Sequence, residues 1–364
     1  MLHGVTVPGV PVTTSTLPER PLEGTSGARH VAVIGAGLAG LVCARTLADH
    51  GLRVTVFDKG RAPGGRATSR HADGGRVFDH GAQFFTARGE WLSRQVLVWE
   101  DDGVVARWSP RVGLGSERRL REGETWWVGA PRMGALAAHL ARPLEVRLGH
   151  VVSALARSAG GWSLTVTGGA GEEARLHHAD ALVVAVPAPQ CAALLAPISK
   201  LHREVAAVEQ TPCWAVMAAV KGAEHVDADL FEDRGGAIAW AAREGSKPGR
   251  TLPEGEELWT LHASTEWSKA HLEDSPESVS DALLRTFFDR HRGLAGTVVE
   301  ARAHRWRYAR GRTAGDQPDA LFDEAARVAV CGDWLAGERV EGALTSGLAA
   351  AALLLGGEAR HPHL

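Results

Sequence analysis

Hydrophobic positions follow two different periods along this chain, and these periods predict its elements. Near the N-terminal end, the continuous apolar run 31–34 predicts a buried strand, and the Ala- and Leu-rich stretch 38–50 predicts a helix. A second apolar run, 53–57, predicts the next strand. Strand, helix and strand in this order are typical of a βαβ unit with a parallel sheet.

The remaining pattern predicts a hairpin, a further buried strand and then a second group of strands with covering helices. The expected hairpin joins 151–157 to 162–167, and the buried strand at 181–186 returns to the first sheet. The other predicted strands are 104–108, 125–128, 214–220, 237–242, 258–263 and 298–310. The other predicted helices are 90–100, 133–140, 201–208 and 278–290.

A glycine-rich turn joins the first predicted strand to the first predicted helix. Gly35, Gly37 and Gly40 form the pattern G-x-G-x-x-G, which allows a tight turn, a close approach of pyrophosphate and close helix packing. The helix N-terminus offers free N–H groups and a positive dipole end to phosphates. Asp58 ends the second strand roughly 20 residues later, the usual place for an acidic side chain that binds ribose hydroxyls. Together these features predict a dinucleotide site.

A second phrase at the C-terminal end distinguishes flavin from nicotinamide. The run 328–331 predicts a strand, Gly332 and Asp333 a turn, and 342–355 a helix that begins after Glu341. An Asp in this turn can accept hydrogen bonds from ribityl hydroxyls, and the dipole of the last helix favours the negative charge that a flavin gains on reduction. Because a nicotinamide dehydrogenase does not use its C-terminus in this way, we expect FAD, held by both ends of the chain.

The predicted fold class is therefore α/β in two domains, a Rossmann-like FAD-binding domain and a substrate domain built on an antiparallel sheet. The assigned segments are 30–88, 127–190 and 325–357 for FAD binding, and 89–126 and 191–324 for the substrate. The Pro-rich segment 1–29 is interpreted as a disordered extension and 358–364 as a tail.

Composition narrows the function classes. The 364 residues are 45% hydrophobic and 23% charged, as in an ordinary globular protein, and a net charge of −3 without a basic block argues against nucleic-acid binding. No apolar run reaches about 18 residues, so no membrane helix is expected. Cys43, Cys191, Cys213 and Cys331 have no C-x-x-C spacing, which favours buried thiols in a cytoplasmic protein without a metal site. The oligomeric state is left open.

Tryptophan is unusually common, with 12 residues against a single tyrosine. Six of them are candidates to line an aromatic slot for a planar ring, although each one alone is more simply a core residue. These six are Trp126, Trp127, Trp240, Trp259, Trp267 and Trp306.

Ten phrases spread from His30 to Leu355 resemble the bacterial renalases, within the amine-oxidase-like FAD proteins. They are GAGLAGL, FDKGRAPGGRATSR, DHGAQFFTAR, WWVGAPRMGAL, VAVPAPQ, TPCWAV, REGSKPGR, LWTLHASTEWS, AHRWRYAR and CGDWLAGERVEGALTSG. The resemblance implies a fold of the p-hydroxybenzoate hydroxylase and amine oxidase type with non-covalent FAD. It also implies oxidation of 1,2- or 1,6-dihydro-β-NAD(P), with O₂ as the electron acceptor and hydrogen peroxide as a product.

The candidate site residues come from these phrases. Trp240, His262 and Trp306 are predicted to form the substrate pocket, with no catalytic acid or base, because hydride transfer then depends on positioning. The predicted cofactor-binding residues are Gly35, Gly37, Leu38, Ala39, Gly40, Asp58, Lys59, Gly65, Arg66, Gly81, Ala82, Gln83, Phe84, Val152, Gly332, Asp333, Glu341, Gly342 and Ala343. Among them, Asp58 is expected at the ribose and Arg66 at the phosphates.

Two other functions stay open at this point. The first is a flavin oxidase of small amines, a class that often places a lysine near flavin N5. None of the five lysines, at 59, 200, 221, 247 and 269, lies in a phrase that assigns it this role. The second is a protein-binding module similar to the GDP-dissociation inhibitors, which use a related scaffold without flavin; the intact glycine phrases argue against it.

Overall fold

The computed structural model describes residues 29–113, 124–158, 160–169, 173–196, 198–222, 227–233, 235–291, 294, 296–311 and 318–357. The predicted extension, except for Arg29, and the predicted tail lie outside these residues. The strands are β1 (His30–Ile34), β2 (Arg53–Asp58), β3 (Arg70–His71), β4 (Val77–Phe78), β5 (Val105–Arg107), β6 (Trp127–Gly129), β7 (Glu145–Leu148), β8 (Val151–Ser158), β9 (Gly161–Thr167), β10 (Arg175–Ala179), β11 (Ala181–Val184), β12 (Gln210–Lys221), β13 (Leu230–Glu232), β14 (Ile238–Arg243), β15 (Glu256–Ala263), β16 (Thr297–Gly311), β17 (Leu321–Asp323) and β18 (Val328–Val330). The helices are α1 (Leu38–Asp49), α2 (Glu90–Asp101), α3 (Gly134–Ala141), α4 (Ala188–Leu195), α5 (His202–Ala206), α6 (Thr265–Ala270), α7 (Pro276–Arg290), α8 (Asp333–Ala336) and α9 (Val340–Leu354).

A six-stranded sheet with the order β17-β18-β11-β1-β2-β7 forms the first half of the molecule. Its pairs are parallel except for β17 with β18. Strands β1, β11 and β18 are continuous apolar runs because both faces of this sheet are covered. Val31 and Val33 belong to a core shared with α1, α3 and α9, whereas Ala32 and Ile34 belong to the core on the opposite face.

The predicted hairpin is present as β8 and β9, and β10 extends it to a three-stranded antiparallel sheet. This small sheet covers the second face of the first sheet. Its Trp162 is fully buried there and donates its indole N–H to the Ala326 carbonyl at 2.9 Å.

A five-stranded antiparallel sheet with the order β13-β14-β15-β12-β16 forms the second half. Helix α7 packs on one face, where Val279, Leu283 and Phe287 form a core with Trp214 and Trp259. Because side chains alternate between the two faces along each strand, other residues of the same strands point to the opposite face. That face is directed at the cofactor-loop segment described below. The predicted strands of the substrate domain are present, and β13 is an edge strand that the pattern did not predict.

Packing shifts two of the predicted domain boundaries. The predicted boundary at 190 divides α4 and leaves α5 in the substrate domain, yet Cys191, Leu195, Leu201 and Val205 belong to the core beneath the six-stranded sheet. Strand β17 likewise extends that sheet rather than the antiparallel one. The apolar face of an element decides which sheet it covers, and that face does not depend on its position along the chain.

Two further properties bear on the expectations from composition. All four cysteines are free and buried. No helix in the described part of the chain is long and apolar enough to span a membrane.

Candidate active site

The glycine turn between β1 and α1 has open space at one of its three glycines. Gly35 has a positive φ of 112°, and a Cβ there would lie 2.4 Å from the Ala185 carbonyl oxygen. A Cβ on Gly40 would lie 2.0 Å from the Gly35 carbonyl oxygen. A Cβ on Gly37 would meet nothing within 4 Å. Gly35 and Gly40 therefore serve the packing of the turn, and Gly37 leaves room for a ligand at the start of α1.

The N-terminus of α1 is suited to an anion. Gly37 is the N-cap residue, so no side chain caps the helix, and its first turn contains no acidic residue. The N–H groups at Leu38, Ala39 and Gly40 thus face this space without a side-chain acceptor. A second glycine-rich loop lies alongside, because the Gly64 N–H donates to the Ala36 carbonyl at 2.7 Å. The fold thus brings together Gly37 and Gly65, both predicted to bind the cofactor, and adds Gly64 beside them.

Asp58 closes this turn from the end of β2. Its two carboxylate oxygens accept hydrogen bonds from the N–H groups of Ala36 and Gly60, each at 2.6 Å. Each oxygen has a further lone pair, so the predicted ribose contact remains compatible with this position. The neighbouring Lys59 instead reaches Gln190 at 3.3 Å, and Val152 packs against the core on the far side of the sheet.

Both ends of the chain meet at the same place. A Cβ on Gly347 of α9 would lie 2.3 Å from the Ala39 carbonyl oxygen of α1, so the two helices touch backbone to backbone. Asp333 after β18 receives a bidentate ion pair from Arg66 at 2.5 and 2.9 Å. Arg66 also donates to the Ala309 carbonyl of β16 at 2.9 Å. Arg66 and Asp333, predicted as separate cofactor contacts, therefore pair with each other within the first domain, and the Arg66–Ala309 hydrogen bond links this pair to the second domain.

Glu341 has a contact that the sequence did not indicate. It lies in the first turn of α9 rather than before it, and its Oε1 accepts from the N–H groups of Arg88 and Gly89 at 3.0 and 2.6 Å. Gly89 is the N-cap of α2, so this carboxylate caps another helix. The backbone N–H groups of Glu341 and Gly342 remain the predicted cofactor contact at the start of α9.

The segment 79–85, here called the cofactor loop, runs beside Arg66. The Ala82 N–H donates to the Arg66 carbonyl at 2.8 Å, and a Cβ on Gly81 would lie 1.9 Å from the same oxygen. Phe84 stacks on Trp126 with ring centroids 4.0 Å apart and on Trp240 at 5.3 Å. The loop thus connects the glycine-rich loops of the first domain to an aromatic wall in the second.

A buried charge network beneath the cofactor loop was missed in the sequence. Lys247 is 2% exposed, and its ammonium donates to Glu244 at 2.7 Å, to Gln83 at 3.0 Å and to Asp79 at 3.3 Å. Arg250 donates to the same Asp79 at 2.5 Å. Their phrase, REGSKPGR, has the composition of an exposed loop, and no local signal marks it as buried. Only the contacts with Asp79 and Gln83 identify it.

The charged groups in this network shift one another's pKa values. Burial alone would raise the pKa of Asp79, but Lys247 and Arg250 outweigh it and lower this pKa to about 2. Burial is the larger effect on Glu244, whose pKa is raised although Lys247 opposes the shift. Gln83 donates its amide N–H to the Asp79 carbonyl and accepts from Lys247, so its orientation is fixed.

The predicted substrate-pocket residues lie on one face of the five-stranded sheet. Trp240, His262, Ala215 and His304 are consecutive cross-strand partners on β14, β15, β12 and β16, a set we call the pocket row. Directly paired residues share a face of the sheet. Ala215 contributes only a methyl group between two imidazoles and is fully buried. Trp306 follows His304 two residues later and lies 4.3 Å from it, centroid to centroid.

His80 of the cofactor loop lies against this row. Its carbonyl accepts from the Trp306 indole N–H at 2.8 Å, and His262 Nε2 is 3.2 Å from the same oxygen. Its ring contacts those of His304 and Trp306 at 5.0 and 4.9 Å. The structure thus places His262 and Trp306 at the same carbonyl, next to His80 and His304, which the prediction omitted.

The three imidazoles of this cluster are uncharged near neutral pH. Burial lowers the pKa of His80 to about 3, with further repulsion from His304 and Arg70. Burial and the charge of Arg310 lower the pKa of His262 to about 4. Burial and the charge of Arg70 lower the pKa of His304 to about 4. Unfavourable desolvation of the charged form is the common cause.

The six candidate tryptophans lie in three different surroundings. Trp126, Trp240 and Trp306 lie at the cofactor loop or the pocket row. Trp259 and Trp267 were wrong candidates, because they pack on the opposite face of the sheet, against α7 and its surroundings. Trp259 is three residues from His262 on a strand, and residues an odd number apart point to opposite faces. Trp127 is a core residue with Arg107 over its ring at 5.1 Å.

In the described residues, no group of three or more His, Cys, Asp or Glu side chains is placed to hold a metal ion. The open space at Gly37, the paired glycine loops and the adjoining start of α9 instead fit an extended dinucleotide.

Comparisons with known proteins agree with this geometry. A family model described as an NAD(P)-binding Rossmann-like domain matches residues 33–112, and one described as flavin containing amine oxidoreductase matches residues 107–355. A stretch of 100 residues is 35% identical to putrescine oxidase of Kocuria rosea, and 61 residues are 48% identical to the mitochondrial protoporphyrinogen oxidase of Nicotiana tabacum. These stretches are 28% and 17% of this chain but only 18% and 12% of the two relatives.

Solved structures give the same result for the fold. A putative protoporphyrinogen oxidase from Exiguobacterium sp. 255-15 aligns with a TM-score of 0.68 at 13% identity, over 90% of this chain and 98% of that one. Wild-type putrescine oxidase bound to putrescine aligns with a TM-score of 0.66 at 13% identity, over 90% and 99%. The predicted fold class is confirmed. Because the second family model spans well over half of the chain, the protein belongs to the flavin containing amine oxidoreductase family, and its cofactor is FAD.

Proposed function

We propose that this protein is a renalase-like oxidase of isomeric dihydronicotinamide dinucleotides, 1,2- or 1,6-dihydro-β-NAD(P), with non-covalently bound FAD. The ring loses one hydride equivalent and becomes an aromatic pyridinium, so the products are β-NAD(P)⁺ and, with O₂ and one proton, hydrogen peroxide. When bound, the flavin supplies the two-electron acceptor that takes the hydride equivalent and passes electrons to O₂. The ten matching phrases and the four free, buried cysteines support this activity in the cytoplasm.

The main support for the proposal is the low basicity of the two histidines in the pocket row. Amines are largely protonated near neutral pH, and an ammonium must lose a proton before it can be oxidised. With pKa values of about 4, His262 and His304 are weak bases for that step. A dihydropyridine needs no proton removed, because loss of hydride alone makes the ring aromatic.

The pocket row then acts by positioning. Trp240 offers a flat apolar surface backed by Phe84, and the Trp306 indole is held by the His80 carbonyl. Neutral imidazoles can exchange hydrogen bonds with a carboxamide without a charge that would oppose the pyridinium product.

A second candidate is oxidation of a small amine, and one observation favours it. Lys247 is a buried lysine beside Gln83. Amine oxidases often place a lysine near flavin N5, and the sequence alone assigned no lysine to that position. Its ammonium is, however, shared between Glu244 and Asp79. The relationship to putrescine oxidase over 18% of that protein supports the same alternative.

Anaerobic stopped-flow mixing distinguishes the two functions. We expect the pure 1,2- or 1,6-dihydro isomer to bleach the flavin within one turnover, whereas putrescine, other small amines and the ordinary 1,4-dihydro form leave it yellow. Bleaching by amines with no response to either isomer would reject the proposal. Replacing Trp240, His262 and Trp306 together by Ala should slow bleaching at least about 100-fold, because near-attack alignment is lost.

A further inference from the structure

Two arginines beside the pocket row have no acidic partner in the described part of the chain. Arg70 on β3 and Arg310 near the end of β16 are both exposed. Five other described arginines on or near these elements are paired. These pairs are Arg66 with Asp333, Arg76 with Glu256 and Glu300, Arg302 with Glu300 and Asp73, and Arg305 and Arg307 with Glu273.

Arg310 lies near the end of β16, four residues beyond Trp306. It is the direct cross-strand partner of Thr211 on β12, and the register of the two strands is irregular between this pair and the next one, Cys213 with Trp306. The charge of Arg310 also lowers the pKa of the row residue His262.

Arg70 approaches the same cluster from the other domain. It pairs with Phe78 in the β3–β4 ribbon, and Phe78 packs on Met217 and Ala219 of the pocket face. His80 follows two residues later and contacts His304 and Trp306. The charge of Arg70 lowers the pKa values of both His80 and His304. The two guanidinium groups therefore act on the pocket histidines from opposite elements.

A guanidinium keeps its charge at physiological pH and is well suited to bidentate contacts with phosphate. Unpaired cations beside an uncharged pocket attract polyanions and repel a molecule that carries an ammonium group. Within the cluster, His80 Nδ1 is buried without a hydrogen-bond partner in the described structure.

We propose that Arg70 and Arg310 bind the pyrophosphate of the substrate, so that this oxidase selects anionic dinucleotides over neutral or cationic molecules that carry an equally reactive ring. The inference rests on the proposed function. It adds two substrate-binding residues outside the predicted pocket, and it assigns the nicotinamide ring to the pocket row and the diphosphate to the arginines.

The test compares two substrates that differ in phosphate alone. FAD-loaded wild type, Arg70→Gln and Arg310→Gln are mixed anaerobically with the reactive dihydronicotinamide dinucleotide and with the corresponding dihydronicotinamide riboside. Each variant should raise the apparent Kd for the dinucleotide by about 10- to 100-fold, the usual range for a lost charged hydrogen bond. Reduction by the riboside should change less than about twofold, because that molecule has no phosphate.

Arg307→Gln is the matched control, since Arg307 is an exposed arginine of the same strand whose charge is paired with Glu273. It should behave as wild type with both substrates. Unchanged dinucleotide binding in both arginine variants, or an equal loss with the riboside, would overturn the inference while leaving the proposed function intact.

A second measurement does not depend on turnover. Calorimetric titration of the FAD-loaded protein with inorganic pyrophosphate should show binding that weakens with added salt and is lost in Arg70→Gln/Arg310→Gln. If no dihydronicotinamide reduces the flavin, the proposed function fails, and pyrophosphate binding lost in the double variant would still support an anion site at these arginines. Equal pyrophosphate binding by wild type and double variant would reject that site.

Discussion

Gly37 and Gly40 stand three residues apart in one turn, but the structure gives them different tasks. Gly40 is required by the protein itself, because a Cβ would collide with the Gly35 carbonyl. Gly37 has room for a side chain in the protein and an ordinary φ of −71°, so its lack of one leaves the start of α1 accessible.

At this scale we expect Gly37→Val and Gly40→Val to separate cofactor binding from stability. Gly37→Val should lose the yellow cofactor on gel filtration yet keep the wild-type circular dichroism spectrum, because only the ligand space is filled. Gly40→Val should lose about 2 kcal/mol or more of apoprotein stability, since its side chain forces the turn apart. Retained FAD absorbance in Gly37→Val would contradict the assignment of this glycine.

At the scale of elements, the buried charge network joins segments that are far apart in the chain. Asp79 receives hydrogen bonds from the Ser69 hydroxyl at 2.6 Å and the Met133 N–H at 2.9 Å, while Thr260 of β15 donates to Glu244 at 2.7 Å. Both carboxylates share two cations, Lys247 at 2.7 and 3.3 Å and Arg250 at 2.5 and 4.0 Å. The network therefore fixes the cofactor loop against both domains.

Removal of Lys247 should be costly because it leaves two buried carboxylates short of a cation. We expect Lys247→Met to lose about 3–5 kcal/mol of unfolding free energy in urea at fixed FAD concentration, and Lys247→Met/Glu244→Gln to recover part of it. Lys269→Met, at an exposed position of α6, is the control and should change stability by less than about 0.5 kcal/mol. Equal stability of Lys247→Met and the control would show that the network contributes nothing.

At the scale of the whole molecule, the uncharged histidines make stability depend on pH. Their folded-state pKa values are depressed, so below the ordinary value of about 6.5 the unfolded chain binds protons that the native state excludes. Stability is therefore full above about pH 6.5 and falls towards about pH 4. Asp79 adds a loss only at lower pH, as the pH falls from the ordinary pKa of a carboxyl towards about 2.

We expect His80→Asn to reduce this acid sensitivity. His80 is 4% exposed, and its share of the stability lost between pH 7 and pH 5 should be about 1–2 kcal/mol. Urea unfolding at both pH values measures the difference, with the exposed His178→Asn as the control. A variant that loses as much stability as wild type over this interval would exclude His80 as a source of the pH dependence.

The sequence by itself determined most of the long elements and the cofactor. Gly35, Gly37, Gly40 and Asp58 all serve a single turn. The pattern can be recognised in the sequence because the backbone geometry of that turn restricts which residues can occupy it. The two-residue alternation of a strand is also a local property, and it is enough to direct Trp259 and His262 of β15 to opposite faces. The family comparisons support both the FAD cofactor and the fold.

Only the tertiary structure decided how distant segments meet. The pocket row depends on the register of four strands, and register is set by packing and turns across the whole sheet rather than by any one strand. Lys247 lies in a polar phrase and is buried only because Asp79 and Gln83 come from the other side of the molecule. Arg70 and Arg310 differ from their paired neighbours in the same way, since the presence of an acidic partner depends on the folded arrangement of side chains remote in the sequence.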